Sequence, residues 1–185
     1  VTSTTVRGVL FDDDVSVVVA VSVLETRNVA EKVFEFPWVS LIEKPVGINY
    51  EESKKLFNLS KKKNAKSFVA LNRRHLQTTR AILSELEFSK SPRIIKVYDQ
   101  ETPEIEIEDG VDEIVVKNWM YGNSIHVVDF FQIFARGKVT NINNIVRLNS
   151  DNNNFCISEL RFSSGDIGIY EAFWDAPAPW AVTVT

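Results

Sequence analysis

The sequence predicts an α/β portion built on a parallel sheet, followed by an α+β portion built on an antiparallel sheet with helices on one face. Three observations carry this. Val15–Val21 (VSVVVAV) is apolar and β-branched with almost no polar alternation, as in a strand buried on both faces of a parallel sheet. Strand-like and helix-like segments then alternate as far as Leu71, the order that parallel crossovers require. Beyond Gly137 only strand-like segments follow one another, and strands in succession pair antiparallel.

Taken in order, the first helix spans about Glu25 to Phe36, with Val29, Ala30, Val33 and Phe34 on one apolar face. Pro37 ends it, and Trp38–Ile42 is a second short buried strand. Asn49 is placed to cap the next helix, with Glu52 three residues on as its capping-box partner. Glu51 and Lys55 pair at i,i+4 on the same helix. Lys61, Lys62 and Lys63 crowd its last turn, where the helix dipole favours cations. They read as a solvated helix end, or as a phosphate or RNA patch, and the acidic whole favours the former. Ser67–Leu71 is the third strand of the alternating part.

An amphipathic helix through Leu76, Thr79, Leu83 and Leu86 leads into a strand at Arg93–Tyr98. Residues 99–113 are acidic and read as an irregular surface loop. An apolar helix follows from about Gly122 to Arg136, with Gly137 as its C-terminal stop. Strands are expected at 139–148, 155–162, 167–174 and 179–185, the second and third joined by a hairpin turn at Ser163–Asp166. The domains are expected at 1–74 and 75–185. Val1 opens without an initiator methionine and Trp180–Thr185 stops in mid-strand, so the chain is expected to be an internal fragment, truncated at its C-terminus as well.

Composition bounds the function. With 44% hydrophobic and 25% charged residues in 185, the chain matches globular domains rather than disordered or collagen-like ones. It holds no run of the roughly 18 apolar residues that a membrane-spanning helix needs. One cysteine, Cys156, excludes an internal disulfide and fits a reducing cytoplasm. A net charge of −4 gives no footprint for nucleic acid. Two histidines, His75 and His126, without ligand spacing leave no metal site to expect.

Two segments can carry chemistry. Glu43-Lys44-Pro45 stands at the carboxyl end of the second buried strand, where open α/β sheets place their ligands. A lysine there can serve as acid, base or hydrogen-bond donor; alternatively it is a solvated lysine beside a turn proline. In the helix Gly122–Arg136, Asn123, His126 and Asp129 recur every three residues and form one polar stripe on an otherwise apolar surface. Buried polar groups need partners. Either other protein groups satisfy the stripe, or it lines a wet pocket that takes a polar substrate.

In this order and spacing, Glu43-Lys44-Pro45, a capped helix, a strand ending Asn72-Arg73-Arg74, a helix bearing Ile125-His126-Val127-Val128-Asp129, and the closing Trp174-Asp175-Ala176-Pro177 and Pro179-Trp180 resemble the glucose–fructose oxidoreductase/inositol dehydrogenase (Gfo/Idh/MocA) family. The resemblance runs from about Leu10 to Thr185. It implies the C-terminal half of a Rossmann-like NAD(P)-binding domain at 1–74, then a substrate and oligomerisation domain at 75–185, whose sheet supports a homodimer or homotetramer. It implies an oxidoreductase that takes NAD or NADP and transfers a hydride to or from a sugar, cyclitol or sugar-nucleotide derivative. Lys44 matches the family's active-site lysine, which touches both substrate hydroxyl and nicotinamide ribose, and Glu43 and Pro45 flank it at the cofactor. His126 matches the general acid/base; with an ordinary pKa of about 6.5 an imidazole can take the hydroxyl proton near neutrality. Asn123 is expected to contact substrate, and Asp129 to contact it or to orient the imidazole, a structural hydrogen bond being the other reading. Arg73 and Arg74 could approach an anionic substrate or cofactor phosphate, or form a surface ion pair.

Two departures stand against the resemblance. Gly122 occupies the position where the family has an aspartate, four residues before the histidine, so a second reading is a non-catalytic relative that binds a sugar-like ligand or a protein partner. And no G-x-G-x-x-G occurs among the seven glycines. At about 30 residues per strand–helix–strand unit, a preceding segment of about 60 would supply that loop. The chain alone is therefore expected to bind NAD(P) weakly and to leave the Val15–Val21 strand with an open edge.

Overall fold

The computed structural model describes residues 8–11, 14–146 and 155–185. The chain divides into two compact units, one of Val1–Leu71 with Asp112–Asn123, the other of Asn72–Val111 with Ser124–Thr185. The first division falls three residues before the expected boundary at 74. The second unit is interrupted, because 112–123 returns to the first.

In the first unit, strands β1 (Gly8–Phe11), β2 (Asp14–Val19), β3 (Val39–Ile42) and β4 (Lys66–Val69) form one sheet in that order. The pairs β2–β3 and β3–β4 are parallel. Helices α1 (Val23–Val33) and α2 (Tyr50–Lys62) are the crossovers. They bury Val29, Ala30, Val33 and Leu56 against Val17, Val19 and Ile42, together with Phe34 just past α1. Asn49 caps α2 as expected, its Oδ1 accepting from the Glu52 N–H at 3.0 Å, but the Glu52 carboxylate reaches back one residue beyond the cap, to the Ile48 N–H at 3.2 Å. The lysine-rich end of α2 is a solvated helix end, with Lys63 paired to Glu35 at 2.8 Å.

Two expectations for this unit are corrected. Strand β2 is not bordered by an open edge, because β1, which the sequence did not disclose, pairs with it antiparallel from Gly8↔Val17 to Phe11↔Asp14. Nor is β2 buried on both faces. Val17 and Val19 point into the core while Val18 is 61% exposed. Val18 lines up with Leu41 and Phe68 across β3 and β4, and both of these are exposed as well.

In the second unit a single-turn 3₁₀ helix (Asn72–His75) precedes α3 (Gln77–Leu86). Strand β5 (Ile94–Glu101) follows, then α4 (Pro103–Glu108). Residues 99–113 are thus not an irregular loop. Their acidity hid three more residues of strand and a turn of helix that Pro103 starts. The short helix α5 (Glu113–Val116) belongs to the first unit. The expected apolar helix begins as a π-helical turn, Met120–Ser124, and continues as α6 (Ile125–Val128) and α7 (Phe130–Phe134).

Strands β6 (Val139–Val146), β7 (Phe155–Phe162), β8 (Ile167–Trp174) and β9 (Ala181–Val184) complete a five-stranded sheet of order β6-β7-β8-β5-β9. Residues 147 and 148 of the strand expected at 139–148 lie outside the described residues. The sheet is antiparallel except that β5 and β8 run parallel. The helices carry the chain to the far edge, and β6, β7 and β8 return stepwise to land beside β5 in its own direction. Helices α6 and α7 pack on β5. Gly168 on β8 admits Phe131, whose ring atoms would stand 2.8 and 2.9 Å from a Cβ there.

Candidate functional site

Lys44 leaves the tip of β3. The parallel ladder runs one residue past the strand, through Glu43 N–H donating to Val19 O at 2.8 Å. The Glu43 carboxylate then accepts from the Lys44 N–H at 3.1 Å, and the Lys44–Pro45 peptide is cis. The Lys44 ammonium, half-buried, donates to the Gly122 carbonyl at 2.8 Å and to Asn123 Oδ1 at 3.3 Å. All of these residues lie in the first unit. Gly122 and Asn123 sit in the π-helical turn, a rare form that concentrates at functional sites. Gly122, the departure from the resembled family's aspartate, thus meets the lysine through its backbone carbonyl. Space does not force the glycine: a Cβ would meet Trp119 Cε3 at 3.4 Å and Val115 Cγ1 at 3.8 Å, ordinary contacts.

In the second unit His126 lies buried on α6, in a helical segment where Val127, Phe130, Phe131 and Phe134 are buried too. Asp129, expected at the substrate, has both oxygens bonded to Arg74, at 2.7 Å to Nε and 2.6 Å to a terminal nitrogen. This bidentate pair raises the Arg74 pKa, through the hydrogen bonds from Asp129 first. Arg74 is therefore occupied by an ion pair, and Arg73 stacks on Trp180 with its guanidinium 4.7 Å from the ring centroid. The polar stripe resolves into three environments: Asn123 on the lysine, His126 buried, and Asp129 anchoring the turn that follows β4.

The sequence reading missed a polar end to β5. Ile95, Val97, Asp99 and Glu101 alternate onto the buried side of that strand. Asp99 is fully buried and accepts a hydrogen bond from the Tyr170 hydroxyl at 2.5 Å. Burial pushes the Asp99 carboxyl pKa up, against the opposing pull of Ser124, Tyr170 and Trp174, and the neighbouring Glu101 charge raises it further. Burial, with the Asp99 charge beside it, drives Tyr170 far above the ordinary phenol range, so it remains a donor. Trp180 Nε1 donates to Glu101 at 3.3 Å. The signal was present as period-two alternation continuing through charged residues, masked by the acidity of the neighbouring stretch 104–109. Among the described residues no three His, Cys, Asp or Glu side chains group as a metal site would need, and no helix is long and apolar enough to cross a membrane.

Neither a family model nor a curated protein matches the sequence. Solved structures do match. Over 91% of this chain it superposes on UDP-N-acetylglucosamine 3-dehydrogenase GnnA from Acidithiobacillus ferrooxidans, with a TM-score of 0.64 and 16% identity, covering 51% of that protein. A levoglucosan dehydrogenase in complex with NADH and levoglucosan gives 0.69 and 18% over the same 91%, covering 50% of its chain. The WlbA (WbpB) dehydrogenase from Thermus thermophilus, in complex with NAD and α-ketoglutarate, gives 0.68 and 15%, again over 91%, covering 57% of that chain. The fold is that of the Gfo/Idh/MocA-type dehydrogenases. The chain spans about half the length of these solved proteins.

Solved proteins of this fold include complexes with NAD or NADH. Lys44 stands half-buried at the carboxyl end of β3, the end of the strands where open α/β sheets place their ligands. None of the glycines forms the glycine-rich turn between strand and helix that cradles a dinucleotide pyrophosphate.

Proposed function

We propose that this chain is the catalytic-lysine and substrate-binding portion of an NAD(P)-dependent oxidoreductase acting on a sugar, cyclitol or sugar-nucleotide derivative. The observation that carries the reading is Lys44: an ammonium at a parallel-strand tip, fixed by the Gly122 carbonyl and Asn123 Oδ1, on a fold whose solved members include dehydrogenases complexed with NAD or NADH. A bound nicotinamide would exchange the hydride. This chain's residues would do the rest. Glu43 and Pro45 set the strand tip, and Lys44 donates to the reacting oxygen of the substrate, lowering the cost of the alkoxide character that develops there. His126 takes or returns the hydroxyl proton. Asn123 holds a neighbouring hydroxyl, and Asp129 acts as a positioning residue by clamping Arg74. We place the protein in the cytoplasm, which its lone buried Cys156 suits, and assign the five-stranded sheet to a homodimer or homotetramer contact.

Gly122 favours a second reading, a non-catalytic relative that binds a sugar-like ligand or a protein partner. Turnover separates the two. The longest polypeptide encoding these residues is assayed for reduction of NAD⁺ or NADP⁺ against a panel of polyols and sugar nucleotides. On the first reading some member turns over, and Lys44→Ala and His126→Ala each lower kcat/KM by about 10²–10⁴-fold, the range of a lost acid–base group. Turnover that neither substitution changes would falsify the assignment. No turnover with retained ligand binding selects the second reading.

A further inference from the structure

The chain carries part of its charge in blocks of one sign. Between Glu52 and Glu85 no acidic residue occurs, and between Lys96 and Lys117 no basic one. In the basic block, Tyr50, Lys54, Phe57 and Lys61 follow one another at i, i+4, i+7 and i+11, a single stripe along α2. All four are exposed, Phe57 by 59%. The Lys54 ammonium stands 5.2 Å from the centroid of the Tyr50 ring and the Lys61 ammonium 5.5 Å from that of Phe57. Both cations therefore rest over rings on an open helix face. Beside the stripe, α2 and the edge strand β4 enclose a groove of about 340 Å³. Its lining includes the buried Ile42 and Leu56 and the exposed Phe57, Lys61 and Val69.

The acidic block holds the counterpart. Ile105 on α4 is 52% exposed. Glu108 and Asp109 lie three and four residues further on, so they flank Ile105 on one helix face, and both are exposed. An aliphatic side chain beside two carboxylates matches, in shape and in sign, an apolar groove beside two ammoniums. Charge selects among occupants. A nucleic acid would meet a net charge of −4 on the rest of the approach, and an uncharged peptide would leave both lysines without an anion. A second copy of this chain brings the acidic face at the same concentration as the groove.

We propose that the outer face of α2 with its groove is a self-association surface, on which Ile105 of a second copy enters the groove while Glu108 and Asp109 of that copy meet Lys54 and Lys61. The contact joins two different surfaces, so it is heterologous and either continues from copy to copy or closes into a ring. It uses no residue of the five-stranded sheet and none assigned to the oxidoreductase chemistry. A helix of six residues buries little area, which places the contact in the weak, transient class.

The test is sedimentation velocity of the chain from about 10 μM to 1 mM, in about 0.1 M and about 1 M salt, where charges are screened beyond roughly 10 and 3 Å. Two double variants are compared, Lys54→Glu with Lys61→Glu, and Glu108→Lys with Asp109→Lys; all four positions are exposed, and circular dichroism checks their folding. The wild-type average mass should rise with concentration in low salt and fall back in high salt. Each double variant alone should raise the apparent Kd about tenfold or more, because two opposite-charge contacts become like-charge ones. An equimolar mixture of the two variants should restore association, since every groove then meets an α4 of opposite sign. A wild-type mass that stays at one chain throughout overturns the proposal. So does association that neither variant weakens, which would assign it to another surface such as the five-stranded sheet, and so does a loss that mixing fails to restore. Should a charge variant fail to fold, Ile105→Ser takes its place: it should weaken association, and an unchanged Kd overturns the proposal.

Discussion

The four-stranded sheet of the first unit and the five-stranded sheet of the second are covered differently. The first packs α1 and α2 on one side, through Val17, Val19, Ile42, Val29, Val33 and Leu56, and presents Val18, Leu41 and Phe68 outward on the other. The second also has an apolar centre, formed by Ile95, Val97, Phe131, Phe134 and Ala172. Around that centre it also buries charged groups that are extensively hydrogen-bonded. Arg93 donates to the Phe134 and Leu86 carbonyls at 2.8 and 2.9 Å. Asp166 accepts from the Arg93 and Arg136 N–H groups at 2.9 and 2.8 Å and from the Arg136 guanidinium at 2.6 Å. The first unit is held mainly by apolar area, its ion pairs being part-exposed, and the second by area plus buried charges, so different substitutions and different solvents should break them.

The largest effect is expected at Asp166. Its carboxylate is fully buried beside Arg136, and removing one partner of a buried pair typically costs about 3–5 kcal/mol because the other is left unpaired. Asp166→Ala should lower the urea midpoint of the second unit accordingly, read by a probe in that unit. The Arg136 side chain, helped by the backbone N–H groups of Arg93 and Arg136, holds this carboxyl well below the usual carboxylate range. A depressed folded pKa stabilises fully above the unfolded value, about 3.9, and is lost as pH falls through the folded value. Acid should therefore weaken the second unit only below about pH 4. Asp166→Ala should flatten that dependence; an unchanged acid slope would show that other carboxylates govern it.

Next comes Ile42→Ala in the first unit. Ile42 is 2% exposed at the centre of the α1–α2 layer, and truncating a buried isoleucine costs about 2–5 kcal/mol. The loss should be the same at pH 3 and pH 7, since no charge is involved. A pH-dependent loss would mean that the two units do not differ in kind.

The same contrast decides what could be read without coordinates. The α1 and α2 faces, the Asn49–Glu52 cap and the Ser163–Asp166 turn were legible because periodicity and capping are local. Lys44 and His126 were picked out by residue type at meaningful positions. The fixing of Lys44 by the Gly122 carbonyl was not legible, because a backbone acceptor leaves no trace in side-chain identity. The Arg74–Asp129 pair joins residues 55 apart, and long-range pairing has no local signature. Asp99 and Glu101 were hidden because acidity normally marks surface, and only alternation with Ile95 and Val97 reveals them as inward-facing. Val18 was misread for the opposite reason. Its neighbours are so apolar that the sequence implies cover on both faces, whereas the described residues supply cover on one.

The smallest expected effect tests that last point most directly. Val18 and Val19 are adjacent on β2, 61% and 2% exposed. Threonine keeps the β-branch and the strand preference of valine while adding a hydroxyl, so Val18→Thr alters hydration of the outer face and little else. Exposed substitutions of this kind usually fall within about 0.5 kcal/mol, and the lost side-chain contact with Leu41 across the β2–β3 register adds only tenths. Val19→Thr, by contrast, buries an added hydroxyl and should cost about 1–3 kcal/mol. Urea unfolding of both variants at two protein concentrations reads the difference. Equal losses at the two positions, or a Val18→Thr loss that grows with concentration, would mean that the outer face is covered in solution by another copy. The outer face of the first sheet could then no longer be described as open to solvent.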